Sequence, residues 1–247
     1  MRTRLIYLIL LALKTFSHLF FRHDTAWVSD TGDGDPWKEF RLVVVLNHTS
    51  LFEWLFAGSV PNSFMRRIAT DAVVPVADKT LNRPLVGRFF RLIIPNPIPI
   101  TREADHTWQT VLEHIGSERM VVIFPEGRMK RANGLDRNGR PMTVRGGIAD
   151  ILRQHEGGPM LIAYGGGMHH IQVPGQHLPR LFKTIRIRFE GLDIEAYRES
   201  LGSDLKPVEF KRAVRNDLDQ RRDLHCPPLE AAAGIHYPLP TKTRKQG

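Results

Sequence analysis

The sequence predicts an α/β fold: a single domain with a mostly parallel sheet flanked by helices, preceded by a separate apolar helix. Three observations predict it. Short apolar runs such as RLVVVL at Arg41–Leu46 and Met120–Phe124 lack polar alternation and read as strands buried on both faces. Helical stretches separate these runs, the order expected of a parallel sheet. The first run, Leu5–Phe21, has basic flanks and no acid before Asp24, so it stands apart from the domain pattern.

The elements follow in order. Leu5–Leu13 is uninterrupted apolar, and Lys14, Ser17 and His18 then break it. A span needs about 20 apolar residues, so this segment is short for crossing. Arg2, Arg4, Lys14 and Arg22 suit a helix lying in, or dipping into, an anionic interface. A cleaved signal peptide and a buried first helix are the rival readings; no clean small-x-small cleavage site follows. Asp30–Pro36 (DTGDGDP) reads as a polar turn, since the apolar setting of a protease triplet and the ligand spacing of a calcium loop are both missing. After the strand Arg41–Leu46 and the turn Asn47–Ser50, a helix is expected to start at Leu51–Gly58. Val73–Val76 reads as a strand, Pro84–Leu92 as a helix, and Ile93–Ile100 (IIPNPIPI) as an extended edge strand broken by prolines. Asp105–Ile115 is helical, with Trp108, Val111, Leu112 and Ile115 on one face. Two Asn-Gly pairs make Arg131–Arg140 a turn or hairpin. Gly146–Gln154 reads as a helix, Met160–Tyr164 as a strand, Ile185–Phe189 as an alternating strand and Pro207–Leu224 as a mixed-charge helix. The expected organisation is a membrane-associated segment over 1–22, a catalytic domain over 23–225 and a poorly ordered tail over 226–247.

The chain has 35 Lys+Arg against 26 Asp+Glu in 247 residues, a formal charge of +9. That points to an anionic partner: nucleic acid, anionic lipid or a phosphorylated substrate. No aromatic residues interleave with Lys/Arg on a sheet face and no recognition helix is evident, so nucleic acid is not expected. The single cysteine, Cys226, excludes a disulfide framework and a cysteine zinc site.

Two stretches carry chemistry. Asn47-His48-Thr49-Ser50-Leu51-Phe52-Glu53 follows a buried strand, where α/β sheets put ligand sites. His48 can act as a general base and Glu53 can fix its tautomer. Ser50-x-x-Glu53 also reads as a capping box, and the two roles are geometrically compatible. Phe124-Pro125-Glu126-Gly127-Arg128 follows a second buried strand. There Gly127 allows close approach, Arg128 can clamp a phosphate with two donors, and Glu126 can bind substrate hydroxyls or hold Arg128. Arg102, after Ile98-Pro99-Ile100-Thr101, adds a second guanidinium at a strand end. His169-His170 lack spaced partners for a metal and read as loop lining. Arg186 and Arg188 share one face of their strand.

In this order the motifs resemble the lysophospholipid (1-acylglycerol-3-phosphate) acyltransferase family. The matches are Asn47-His48-x4-Glu53, Pro99-Ile100-Thr101-Arg102 and Phe124-Pro125-Glu126-Gly127-Arg128, with Pro84-Leu85-Val86-Gly87 and Val144-Arg145-Gly146-Gly147 around them. The resemblance implies acyl transfer from acyl-CoA or acyl-carrier protein, as co-substrate, to a lysophospholipid hydroxyl. It implies His48 and Glu53 as the catalytic pair, Arg102, Glu126, Gly127 and Arg128 as substrate-binding residues, and neither metal nor cofactor. It also implies a membrane phospholipid surface as partner, at the cytoplasmic face of the inner or plasma membrane. Two departures bear on the acceptor. Glu53 stands where the family has Asp, and Ala163 stands where it has a proline. Glycerol 3-phosphate or a lyso-aminolipid such as lyso-ornithine lipid therefore remain alternative acceptors.

Overall fold

The computed structural model describes the chain except residues 30–34, 102–105, 114, 116–118, 137, 174–175, 177, 203 and 229–247, and the side chains of Lys38 and His106. The DTGDG part of the first polar turn, Arg102 and most of the C-terminal tail lie outside the described residues.

The chain forms α1 (Arg2–Phe20), β1 (Arg22–Trp27), β2 (Leu42–Leu46), a 3₁₀ helix (Glu53–Ser59), α2 (Asn62–Asp71), β3 (Ala72–Ala77), α3 (Asp78–Leu81), α4 (Pro84–Ile93) and β4 (Asn96–Ile100). It continues through α5 (His106–Glu113), β5 (Met120–Ile123), α6 (Gly147–Gln154), β6 (Pro159–Gly165), β7 (Thr184–Asp193), α7 (Ile194–Leu201) and α8 (Pro207–His225). Seven strands make one sheet in the order β1-β7-β6-β2-β5-β3-β4. Every neighbouring pair is parallel except β6 with β7.

β2 is the centre, and all five of its residues are buried, as its unbroken apolar run requires. Leu42, Val44 and Leu46 pack under α6, α7 and α8 through Ile148, Ile151, Tyr197, Val214 and Leu218. Val43 and Val45 face the other layer, with Phe64 of α2. β4 is an edge strand paired only to β3, so Pro97 and Pro99 cost little there. Helix α4 runs on to Ile93, so the strand starts at Asn96 and not at Ile93. The expected helix at Leu51–Gly58 is a 3₁₀ helix that starts at Glu53.

α1 docks on the domain by one side. Ile6 and Leu10 pack with Met65 and Ala69 of α2 and Ile93 of α4. Lys14 Nζ donates to the Val60 carbonyl (2.7 Å) and Asn62 Oδ1 (2.8 Å), and Ser17 Oγ donates to the Leu55 carbonyl (2.8 Å). The opposite stripe is apolar and bare: Leu5, Leu8 and Leu19 are 53%, 61% and 68% exposed. Among the described residues, α1 is the one helix long and apolar enough to cross a membrane by length and composition.

Candidate active site

Strands β2, β5, β3 and β4 run parallel, so the segments after β2, β5 and β4 leave the same edge of the sheet. That carboxyl edge is where open α/β sheets hold ligands. β4 lies three strands from β2, about 14 Å at a spacing of about 4.8 Å.

The chain leaves β2 at Asn47 in the left-handed region (φ +66°), a conformation Asn tolerates better than most residues. Asn47 Nδ2 donates to the Gly165 carbonyl at the end of β6 (2.8 Å). The His48 backbone is held from both sides by the segment after β5. Its N–H donates to Glu126 Oε2 (2.7 Å), and its carbonyl accepts from the Lys130 N–H (2.7 Å). The Asn47 N–H reaches Glu126 Oε1 (3.2 Å).

His48 Nδ1 and Glu53 Oε2 lie 2.5 Å apart. Glu53 Oε1 accepts from the backbone N–H of Thr49 (2.6 Å) and of Ser50 (3.3 Å). The one carboxylate therefore does both things the sequence allowed: it closes the turn before the 3₁₀ helix and it engages the imidazole. Because a carboxylate only accepts, Nδ1 carries the proton, and neutral His48 has its lone pair on Nε2. No described group bonds Nε2, and the side chain keeps 18% exposure. The ring is backed by Phe124, with centroids 5.0 Å apart. Burial pulls the imidazole pKa down most strongly, but the Glu53 charge, its hydrogen bond and Glu126 together outweigh it, so the net direction is upward.

The surrounding turn is tied to the loop after β6. Thr49 Oγ1 accepts from the Met168 N–H (2.8 Å), and Ser50 Oγ donates to Gln172 Oε1 (2.6 Å). His169 Nε2 meets the Lys130 carbonyl (2.8 Å) and His170 Nε2 the Thr184 carbonyl (2.8 Å). Both histidines are buried loop lining, and no His/Cys/Asp/Glu group able to hold a metal occurs among the described residues.

The second motif is arranged differently from the expectation. Glu126 is 1% exposed, and its carboxylate is spent on the Asn47 and His48 amides and on Arg222 Nη1 (3.5 Å). It therefore supports the His48 turn from beneath, and does not hold Arg128. Arg128 instead pairs with Asp136, whose carboxylate also accepts from the N–H of Asn138 (2.7 Å) and Arg140 (3.0 Å). Those contacts, the Arg140 amide first, hold the Asp136 carboxyl at about 2, so it is ionised. Gly127 adopts φ +64°, and an added Cβ would meet only Arg145 Cγ at 3.9 Å; the backbone angle, not space, calls for glycine there. Arg102 lies outside the described residues; Thr101 before it donates its N–H to Thr107 Oγ1 (3.1 Å). Arg188, read as sharing a strand face with Arg186, is engaged by Asp24 Oδ1 (2.9 Å).

Asp136, Gln172 and Arg222 were not visible as site residues. Asp136 sits between two Asn-Gly turns and looks like turn composition. Arg222 sits in the run Arg221-Arg222-Asp223, which looks like a solvated helix face.

Comparison with known proteins bears on the family and the fold. The profile of the Acyltransferase family matches residues 34–165, which hold β2 through β6 and both motifs. None of the curated proteins compared matches significantly. Among solved structures, the fold is similar to that of the 1-acyl-sn-glycerophosphate (LPA) acyltransferase PlsC from Thermotoga maritima, with a TM-score of 0.53 and 18% identity over 88% of this chain and 80% of that one. The fold is shared with that enzyme, and the profile covers more than half of the sequence: the chain belongs to the Acyltransferase family.

Proposed function

We propose that the chain transfers a fatty acyl group from acyl-CoA or acyl-carrier protein to the hydroxyl of a lysophospholipid, lysophosphatidate giving phosphatidate. The observation that carries this reading is the His48–Glu53 contact, with Nε2 left open at the carboxyl edge. The likeness to the Thermotoga maritima LPA acyltransferase supports the acceptor class.

In this reading His48 Nε2 takes the proton of the acceptor hydroxyl. The oxygen attacks the thioester carbonyl carbon and forms the new C–O bond. The C–S bond then breaks, and the imidazolium returns its proton to the leaving thiolate. Glu53 holds the tautomer and balances the imidazolium. The route needs neither a metal nor an acyl-enzyme. Arg128, oriented by Asp136, and Arg102 would receive the acceptor phosphate. Gly127 lets the backbone turn just before Arg128.

A specific observation keeps the second acceptor class open. Arg128 meets the substrate already paired with a buried carboxylate, so it offers a directed fork with little net charge. A lyso-aminolipid, or glycerol 3-phosphate, fits such a fork as well. A panel of lysophosphatidate, glycerol 3-phosphate and lyso-ornithine lipid, each with labelled acyl-CoA and acyl-carrier protein, tests the reading. Preference for lysophosphatidate supports it; transfer to none of the three rejects it.

The same reading sets the protein on the cytoplasmic face of a membrane. The outward Leu5, Leu8 and Leu19 stripe, with Arg2 and Arg4 at its start, suits a helix lying in the interface with its other side on the domain. The exposed Phe182, 69% accessible and tilted against Phe20 with ring centroids 6.1 Å apart, extends that apolar surface between Arg180 and Lys183.

A further inference from the structure

We propose that Arg222, on the C-terminal helix α8 and outside the matched segment, is a positioning residue for His48 that acts through Glu126. The inference rests on the reading of His48 as the base.

α8 meets the site along one stripe of polar side chains at i, i+4 and i+7. Arg215 Nε donates to the Val144 carbonyl (3.0 Å), and Asp219 Oδ1 accepts the Val144 N–H (3.0 Å). Arg222 Nη1 donates to Asp219 Oδ1 (2.7 Å) and the Met142 carbonyl (3.2 Å), and reaches Glu126 Oε1 (3.5 Å). Arg222 is 9% exposed, and the Glu126 side chain is wholly buried. The beginning of α8 is fixed by an apolar stripe of Phe210, Val214 and Leu218 in the main core.

The consequence follows from the chemistry of a buried carboxylate. Glu126 accepts two backbone N–H groups, both at the turn that carries His48. Both oxygens accept best while ionised; once protonated, one of them becomes an O–H donor and a weaker acceptor. Burial pushes the Glu126 carboxyl up and sets the net direction, while Arg222 is the strongest influence pulling it back toward the ionised form. Among the described residues, the other titratable groups coupled to this carboxylate are His48 and Cys226, with Lys130 beside Cys226 and Asp219 and Asp223 behind Arg222. Asp223 pairs with Arg222 Nη2 (2.9 Å), but its side chain is 72% exposed and its charge is screened. Losing the guanidinium would therefore push the Glu126 carboxyl further up, loosen its hold on the two amides and weaken one of the two negative charges that favour the His48 imidazolium. Losing one partner of a buried pair also destabilises, whereas losing both is often neutral. That difference separates a positioning role from a purely structural one.

The test uses the full chain and the variants Arg222→Met, Arg222→Lys, Glu126→Gln and Glu126→Gln/Arg222→Met, with His48→Ala as reference. The readouts are kcat, KM for each substrate, thermal unfolding, and NMR titration of the His48 ring assigned by its absence in His48→Ala. Arg222→Met should lower kcat at least about tenfold with both KM values within about twofold, and the His48 ring should titrate at lower pH. Arg222→Lys should recover most of the rate. The double variant should regain the thermal stability lost in Arg222→Met, yet keep the low kcat of Glu126→Gln alone. If Arg222→Met does not fold, the double variant against Glu126→Gln and the Lys variant decide the matter. Additive kcat losses, an unmoved His48 titration, or rates that merely track unfolding temperature would overturn the proposal. Full activity in His48→Ala would instead remove the base reading itself.

Discussion

Glu53→Gln converts the central carboxylate to an isosteric amide, and the structure dictates how that amide must sit. Glu53 accepts from three donors: His48 Nδ1–H on one oxygen, and the Thr49 and Ser50 N–H groups on the other. Gln has one accepting oxygen and one donating NH₂ group. If its oxygen faces the imidazole, the NH₂ opposes two buried backbone donors; Thr49 and Ser50 are both fully buried. If its oxygen faces the amides, the NH₂ opposes Nδ1 and drives the proton to Nε2, where the base needs a lone pair. Stranding a buried donor costs about 1–3 kcal/mol, so the second orientation should dominate by about 5- to 150-fold. Loss of the charge that stabilises the imidazolium adds to this, and the combined fall in kcat should reach at least about 100-fold. Stability should change by less than about 1 kcal/mol, because the turn keeps its acceptor. The assay is acyl transfer and thermal unfolding on the same purified variant. Activity within about threefold of wild type, or a loss explained by unfolding, refutes the tautomer argument and leaves Glu53 as a turn residue.

Further expectations follow from the same geometry. Because the His48 pKa is displaced upward and only the neutral ring accepts a proton, kcat/KM should rise with pH through a midpoint above 6.5, the ordinary histidine value; a midpoint at or below it contradicts the charge arrangement. Arg128→Lys keeps the charge but loses the fork, so the acceptor KM should rise at least about tenfold with the donor KM little changed, and Asp136→Asn should act in the same direction by freeing the guanidinium. An unchanged acceptor KM in both variants removes the phosphate clamp. Replacing Leu5, Leu8 and Leu19 together by Ser should abolish sedimentation with anionic vesicles and leave the fold intact, since those side chains face away from the domain; undiminished sedimentation puts the anchor elsewhere.

What could be read in the sequence was what local chemistry decides. β2 announced itself because a central parallel strand is buried on both sides, and LVVVL has no other use. His48 and Glu53 could be paired because a Glu folded back at the first turn points toward the residues before it, and the family resemblance gave the pair its catalytic role. β1 did not: Arg22–Trp27 is an edge strand with half-exposed polar residues, held by Asp24 to Arg188 across the β1–β7 pairing, and nothing local marks it. The antiparallel pairing of β6 with β7 was equally hidden, although the clean alternation of Thr184–Phe189 is what such a strand shows. The capping box was half right. Glu53 does reach back to backbone amides, but Ser50 Oγ accepts from Phe52 and not from the N–H of Glu53. The roles of Glu126, Asp136 and Arg222 could not be read, because each depends on a partner 8 to 96 positions away. A sequence motif names Glu126, but only the packing of α8 tells that it faces inward.

The central claim is that His48 is the base. The most direct measurement is kcat for acyl transfer from acyl-CoA to lysophosphatidate by purified His48→Ala, alongside its thermal unfolding. The account predicts a loss of at least about 100-fold with a cooperative unfolding transition retained, because the His48 backbone bonds survive the substitution and Glu53 stays held by the Thr49 and Ser50 amides. A folded His48→Ala protein that turns over at the wild-type rate would contradict it.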